Sequence, residues 1–202
     1  QLAAGGVKVL MVPGECEIDE KGKVITALSN LSLAALFSDP VMGSEFFFEK
    51  GGERIRVYGL PGTPSNKLPF LGERRDRDFT IGLFHGEVCL SGNVPETRAM
   101  VLQKNEMMNS GIDFFALGHH HHFKLFKHNR KVIGAYAGSP EPVTFDEKGE
   151  RFVLSFTVSG GEIAQIKRLT VNSITADERA VSVSDFDSMQ ALSATLEESA
   201  ST

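Results

Sequence analysis

Ile112-Asp113-Phe114-Phe115-Ala116-Leu117-Gly118-His119-His120-His121-His122 is the stretch on which the fold turns. Its apolar residues lie between Gly111 and Gly118 and read as a short buried strand. Four histidines follow at once. Such a run resembles an affinity tag, but this one is internal and sits past the end of a strand. Alternate residues of an extended segment point the same way. His119 and His121 are therefore expected to chelate together, with His120 and His122 facing elsewhere.

Two further strands precede this one. Phe79-Thr80-Ile81-Gly82-Leu83-Phe84 is apolar and is expected to end at His85. Val7-Lys8-Val9-Leu10-Met11-Val12 stops at Pro13-Gly14 and leads into Glu15-Cys16-Glu17. Pro95, Met100, Leu102, Met107 and Met108 predict a helix over residues 95–109, ended by Gly111. Strand, loop, helix, strand is the pattern of an α/β fold, a sheet covered by helices. Open α/β sheets bind ligands at the C-terminal ends of their strands. Three strand ends would thus bring Glu15 and Cys16, His85, and His119 with His121 to one rim. Imidazole and carboxylate together suit Zn²⁺, Mn²⁺ or Fe²⁺.

The remaining segments fill in around this frame. Residues 28–37 are apolar and predict a short helix before Asp39-Pro40. Phe46-Phe47-Phe48, Gly51-Gly52 and the run 54–58 read as a hairpin, and residues 59–78 as a loop. Residues 123–126, 131–136, 151–158 and 162–170 are four strand candidates, with Gly160-Gly161 as a turn, and suggest an antiparallel sheet. Ser184 and Asp187 are placed to cap a last helix carrying Met189, Leu192 and Leu196, with residues 197–202 frayed. No internal repeat is visible.

Composition bounds the function. The chain has 202 residues, 41% hydrophobic and 23% charged, enough for one domain with a sizeable core. No run of 18 apolar residues occurs, so no membrane association is expected. The two cysteines, Cys16 and Cys89, make no disulfide framework and point to a reducing cytoplasm. A net charge of −5 argues against binding nucleic acid through bulk positive charge, though not against gripping phosphate at a metal. Arg54, Arg56, Arg74, Arg75 and Arg77 cluster, but Glu73, Asp76 and Asp78 interleave them, as on a solvated face. Lys124, Lys127, Arg130 and Lys131 follow the histidines. Lys124 and Arg130 are the candidates for substrate contact. The chain opens on Gln rather than Met and is expected to be part of a longer protein.

Gly118-His119-His120-His121 resembles the G-H-x-H motif of the calcineurin-like metallophosphoesterases, and Phe84-His85-Gly86 their single-histidine motif. Val12-Pro13-Gly14-Glu15-Cys16-Glu17 stands where that family has P-G-N-H-[DE]. Tyr58-Gly59-Leu60-Pro61, Ala137-Gly138-Ser139-Pro140-Glu141-Pro142 and Phe145-Asp146-Glu147 are similar to a narrower group, the SbcD-type DNA double-strand-break repair nucleases. The resemblance spans roughly residues 7–190. It implies an α/β metallophosphoesterase-type β-sandwich flanked by helices, here without its N-terminal strands. Residues 1–172 would be a partial metallophosphoesterase domain and residues 173–202 the start of a C-terminal capping segment.

The resemblance also implies chemistry. Two divalent metals, usually manganese, share a bridging carboxylate and activate water against a phosphodiester. Paired metals clamp the attacking and leaving oxygens of such a displacement. His85, His119 and the Glu15 position would hold the second metal, His121 the first, and Cys16 takes the place of a catalytic histidine. DNA would be the substrate, and an SMC-like ATPase of the SbcC type a partner.

Three departures follow. The family's D-x-H and G-D-x-x-D motifs are not found in these residues, and with them go the first metal's Asp and His and the bridging Asp. The third motif carries Glu15 for Asn and Cys16 for His, while Glu17 fits its last, acidic position. Glu15 can still ligate, and a cysteine at position 16 favours zinc, but a thiol replaces an imidazole poorly as acid or phosphate donor. Two metals, one or none are therefore open. So are three functions: a DNA exo- or endonuclease subunit, a non-catalytic scaffold or binding module of the same fold, and a phosphatase or phosphodiesterase for small molecules.

Overall fold

The computed structural model describes residues 7–17, 34–37, 44–63, 67–71, 78–90 and 96–200. Among these, seven strands join one mixed sheet: β3 (Ser44–Lys50), β4 (Glu53–Leu60), β5 (Asp78–Cys89), β6 (Met100–Gln103), β7 (Phe114–Gly118), β8 (Lys124–His128) and β9 (Lys131–Tyr136). Their order is β3-β4-β5-β7-β9-β8, with β6 also pairing to β5. The central strands β4, β5, β7 and β9 run parallel, while the hairpins β3–β4 and β8–β9 close the two sides antiparallel. A small parallel pair, β1 (Val9–Met11) and β2 (Ala34–Leu36), and a hairpin, β10 (Phe152–Ser159) and β11 (Glu162–Thr170), form separate two-stranded sheets. Among the described residues the α-helices are α1 (Lys104–Asn109) and α2 (Met189–Ala200).

Strand alternation divides the core in two. Phe84, Val88, Phe115, Leu117 and Tyr136 pack with Met100, Leu102 and Met107 of β6 and α1. Phe79, Phe114 and Ala135 point to the opposite face and meet Leu154, Phe156, Ile163 and Ile166 of the β10–β11 hairpin. Phe114 and Phe156 lie 4.7 Å apart between ring centroids, within the range of favourable aromatic pairing. The result is the mixed α/β layering expected, a large sheet with a smaller sheet stacked on one face.

Several sequence expectations need correction. β5 does not end at His85: it continues to Cys89 because β6 offers a parallel partner for residues 86–89. β6 itself occupies part of the helix predicted over 95–109; residues 91–95, with Pro95, lie outside the described residues. Met100-Val101-Leu102 is a short apolar run, and such a run does not separate helix from strand by periodicity. Residues 34–36 of the predicted helix over 28–37 form β2, and residues 28–33 lie outside the described residues. The predicted antiparallel sheet of four late strands is split: β8 and β9 complete the main sheet, and only β10 and β11 stand apart. The last helix is capped by Ser188, whose Oγ accepts from the Ala191 N–H at 3.2 Å, and not by Ser184. It holds order through Ala200, so the fraying predicted from residue 197 is not seen there.

Candidate metal centre

β5 brings the first ligand to the rim. His85 is its last residue to pair with β7, opposite Gly118, and β4 ends one residue lower, at Leu60 opposite Phe84. The imidazole therefore emerges where its neighbours stop. Two glycines give it room. A Cβ at Gly14 would lie 2.6 Å from His85 Cε1, and one at Gly118 would lie 3.1 Å from Nδ1. Glu15 follows in a turn where the Gly14 N–H donates to Glu17 Oε2 at 2.9 Å and the Glu17 N–H donates to the Gly14 carbonyl at 3.2 Å. His119 follows β7 with φ at +109°, a region that side chains rarely adopt and that costs about 1–3 kcal/mol.

These three side chains converge. His119 Nδ1 lies 3.2 Å from Glu15 Oε1, and His85 Nε2 meets Glu15 Oε2. Both atoms of the second contact are buried, and among the described residues each faces only the other. One carboxylate and two imidazoles gathered in this way are a donor set that a divalent cation takes in place of the direct contact, so the residues fit a metal. Two donors about 2.0–2.1 Å from a tetrahedral ion are about 3.3 Å apart, close to the Glu15–His119 spacing. Burial pushes the His85 imidazole below its ordinary pKa against the pull of Glu15, which leaves the ring neutral and its lone pair available. Burial alone would raise Glu15, but its own backbone N–H and the two imidazoles outweigh this and hold the carboxyl below its usual value.

A second carboxylate joins the cluster. Glu87 stands two residues beyond His85 on β5, so both project from one face. Its Oε2 lies 3.5 Å from His119 Nε2 and 2.7 Å from His120 Nε2. His120 also packs edge-on against Tyr136, with ring centroids 4.7 Å apart.

His121 enters a different unit. Its Nδ1 donates to Glu147 Oε1 at 2.6 Å, since an ionised carboxylate can only accept. Glu147 is 1% exposed and Arg151 is 5% exposed. Arg151 Nη2 donates to Glu147 Oε2 at 3.0 Å and to the His121 carbonyl, and its Nε donates to the Ser139 carbonyl at 3.1 Å. The Ser139 N–H closes the arrangement on the His121 carbonyl at 3.0 Å. One buried ion pair thus ties the histidine loop to the segment after β9. A carboxylate behind a histidine is the usual device for orienting a metal-binding imidazole.

Of the residues expected at the site, Glu15, His85 and His119 come together. His119 shares a carboxylate with His120, while His121 hydrogen-bonds Glu147: the paired orientation of His119 with His121 is replaced because φ at His119 breaks the extended geometry on which it rested. Cys16 is exposed and lies outside both metal-capable groups among the described residues. Lys124 is exposed at the near end of β8, its Nζ over the Phe126 ring at 5.4 Å. Arg130 is carried away from the histidines: it sits in the turn after β8, roughly 16 Å along that strand. Arg54 and Arg56 are engaged by Asp78 at 3.9 Å and Glu45 at 3.6 Å. Arg74, Arg75 and Arg77 lie outside the described residues. Glu87 and Glu147 were missed. The spacing from His85 could have revealed Glu87; no local signal marks Glu147 as buried.

Comparison with known proteins adds a distant relative. The chain is 25% identical over 162 residues to the uncharacterized metallophosphoesterase YhaO of Bacillus subtilis (strain 168), covering 78% of the chain. The likeness supports the metallophosphoesterase superfamily. The chain spans 38% of that relative's length. No protein-family model matches the chain. Among the described residues, no helix is long and apolar enough to cross a membrane.

Proposed function

We propose that this chain supplies part of the metal centre of a phosphoester hydrolase that acts on phosphodiesters, with DNA as the substrate class. The observation that carries this is the convergence of Glu15, His85 and His119, whose ligand atoms all lie within 4.8 Å of one another at one half-buried point. Glu15, His85 and His119 would hold a divalent ion, manganese or zinc by their donor types. Such an ion polarises a phosphoryl oxygen and makes water a better nucleophile.

The chain's own residues prepare that point. His85 stays neutral near pH 7 and offers a lone pair. Glu15 stays ionised and balances cationic charge. The ring of His119 is held between Glu15 and Glu87. Strand β5 gives the site a rigid base, which positions ligands more tightly than a loop does. Beside it a largely apolar cleft of about 900 Å³ runs from His85 and Glu17 down to Phe114 and Phe156. Support for DNA and for an SMC-like ATPase partner comes from the sequence blocks at 58–61 and 137–147.

The test is hydrolysis of a model phosphodiester, bis(p-nitrophenyl) phosphate, by the chain with added Mn²⁺ or Zn²⁺. Turnover that is lost on chelation and in His119→Ala supports the proposal. Turnover unchanged in both would overturn it. A second reading, a non-catalytic module that binds metal or a partner, is favoured by Cys16, whose thiol stands at the imidazole position of the motif. It predicts metal binding without hydrolysis, and a gain of hydrolysis in Cys16→His with Glu15→Asn.

A further inference from the structure

The rim cluster does not stop at Glu15, His85 and His119. Glu87, His119 and His120 form a second group whose ligand atoms all lie within 4.8 Å of one another. His119 belongs to both, presenting Nδ1 to Glu15 at 3.2 Å and Nε2 to Glu87 at 3.5 Å. The two nitrogens of one ring thus face two carboxylates on opposite sides. A side chain held this way at a φ of +109° is placed by its surroundings rather than by its own backbone preference.

We propose that Glu87, His119 and His120 form a second cation position that takes Zn²⁺, and that His119 bridges it to the first. Two imidazoles and one carboxylate with an open fourth position make a zinc site of ordinary composition. The present spacings suit it. Donors about 2.0–2.1 Å from a tetrahedral ion stand about 3.3 Å apart, and the 3.5 Å between His119 and Glu87 is close to this. The 2.7 Å between His120 and Glu87 has to open by well under 1 Å. His120 can make this adjustment, since its side chain is 43% exposed.

A ring that ligates both ions does so as imidazolate, its N–H proton passing to solvent when the second ion binds. Metal ions displace protons from their ligands in this way. A whole ring then separates the ions, farther apart than the ~3.5–4 Å of two-metal hydrolase sites. The second ion is thereby placed to hold a phosphate oxygen or to brace the first site, not to share a water with it. None of this draws on the ligand motifs that the sequence lacks. It rests on the reading of Glu15, His85 and His119 as a metal centre only through the shared imidazole.

The experiment is a calorimetric titration of the metal-free full chain with Zn²⁺, repeated in buffers of different ionisation enthalpy to count protons. Glu87→Gln and His120→Phe, which keeps an aromatic ring against Tyr136, are compared with Glu15→Gln; circular dichroism checks each fold. Two ions in the wild type, falling to one in each variant, with a further proton released at the second equivalent, is the expected result. Two variants at different residues keep the answer clear if one fails to fold. If Glu87→Gln and His120→Phe leave stoichiometry and affinity unchanged while Glu15→Gln lowers them, the second position is overturned and the first stands. A single ion in the wild type overturns the second position as well. No Zn²⁺ binding overturns both.

Discussion

Replacing Arg151 by Met tests how the histidine loop is held. Arg151 serves three acceptors: Glu147 Oε2, the His121 carbonyl and the Ser139 carbonyl. Both partners of its ion pair are almost fully buried, at 5% and 1% exposure. Methionine fills most of the volume, so little cavity forms, and the cost is electrostatic. Removing one partner of a buried pair costs about 3–5 kcal/mol because the other charge is left without its counterion. The Ser139 carbonyl loses its donor, which adds about 1 kcal/mol, whereas the His121 carbonyl keeps the Ser139 N–H. His121 and Thr144 still donate to Glu147 Oε1, at 2.6 Å and 3.3 Å, which limits the loss. We expect Arg151→Met to lose about 4–5 kcal/mol, a large part of the ~5–15 kcal/mol of a typical domain. The chain has no Trp, so urea unfolding is best followed by circular dichroism. Adding Glu147→Gln should recover part of the loss, because a neutral amide is cheaper to bury than a lone carboxylate. A midpoint within about 0.5 kcal/mol of wild type in Arg151→Met would refute the reasoning.

Other expectations concern the same rim. Glu147 is held at about 2: burial raises it, but hydrogen bonds from His121, Ser139 and the Val143 N–H outweigh that. Since this folded value lies below the ordinary 4.5, its contribution to stability is complete above about 4.5 and is lost as pH falls toward about 2. Stability measured across that window should decline, and the Glu147→Gln chain should decline less; equal slopes would contradict this. Gly14→Ala places a methyl 2.6 Å from His85 Cε1 and 2.9 Å from Glu17 Oε2, so it should weaken Zn²⁺ binding by about tenfold or more with little change in circular dichroism. Unchanged affinity would mean that His85 is not a ligand. Tyr136→Phe removes a hydroxyl that donates to the Gly86 carbonyl at 2.6 Å and accepts from the Val88 N–H at 3.0 Å. Two buried backbone groups of β5 lose their partner, which should cost about 1–3 kcal/mol in chemical denaturation.

Strands β5, β7 and β9 were legible as strands because buried strands read as apolar runs bounded by glycine and polar residues, although the place of β9 in the main sheet was not. The rim positions of Glu15 and His119 followed from strand ends, but that of His85 did not: β5 runs on to Cys89, and it is β4 and β7 that stop beside His85. β6 was not legible, since Met100-Val101-Leu102 fits either secondary structure until β5 extends past β7 to meet it. The helical reading of residues 34–36 failed for a related reason: pairing to β1, a long-range contact, overrides local propensity. The grouping of the histidines depended on φ at His119, and positive φ is uncommon at any residue but glycine, so nothing in the run of four singles out one of them. Burial of Glu147 required Arg151, four residues on, to fold back under the loop. A run such as Phe145-Asp146-Glu147-Lys148 carries no sign of it.

The central claim is that Glu15, His85 and His119 are ligands to a metal ion. The most direct measurement is the transition-metal content of the purified chain by elemental analysis after incubation with Zn²⁺ and Mn²⁺, beside His119→Ala, which leaves each candidate group with two donors. At least one ion per wild-type chain, and none retained by His119→Ala, is the predicted result. Equal metal content in the two chains, or none in the wild type, would contradict it.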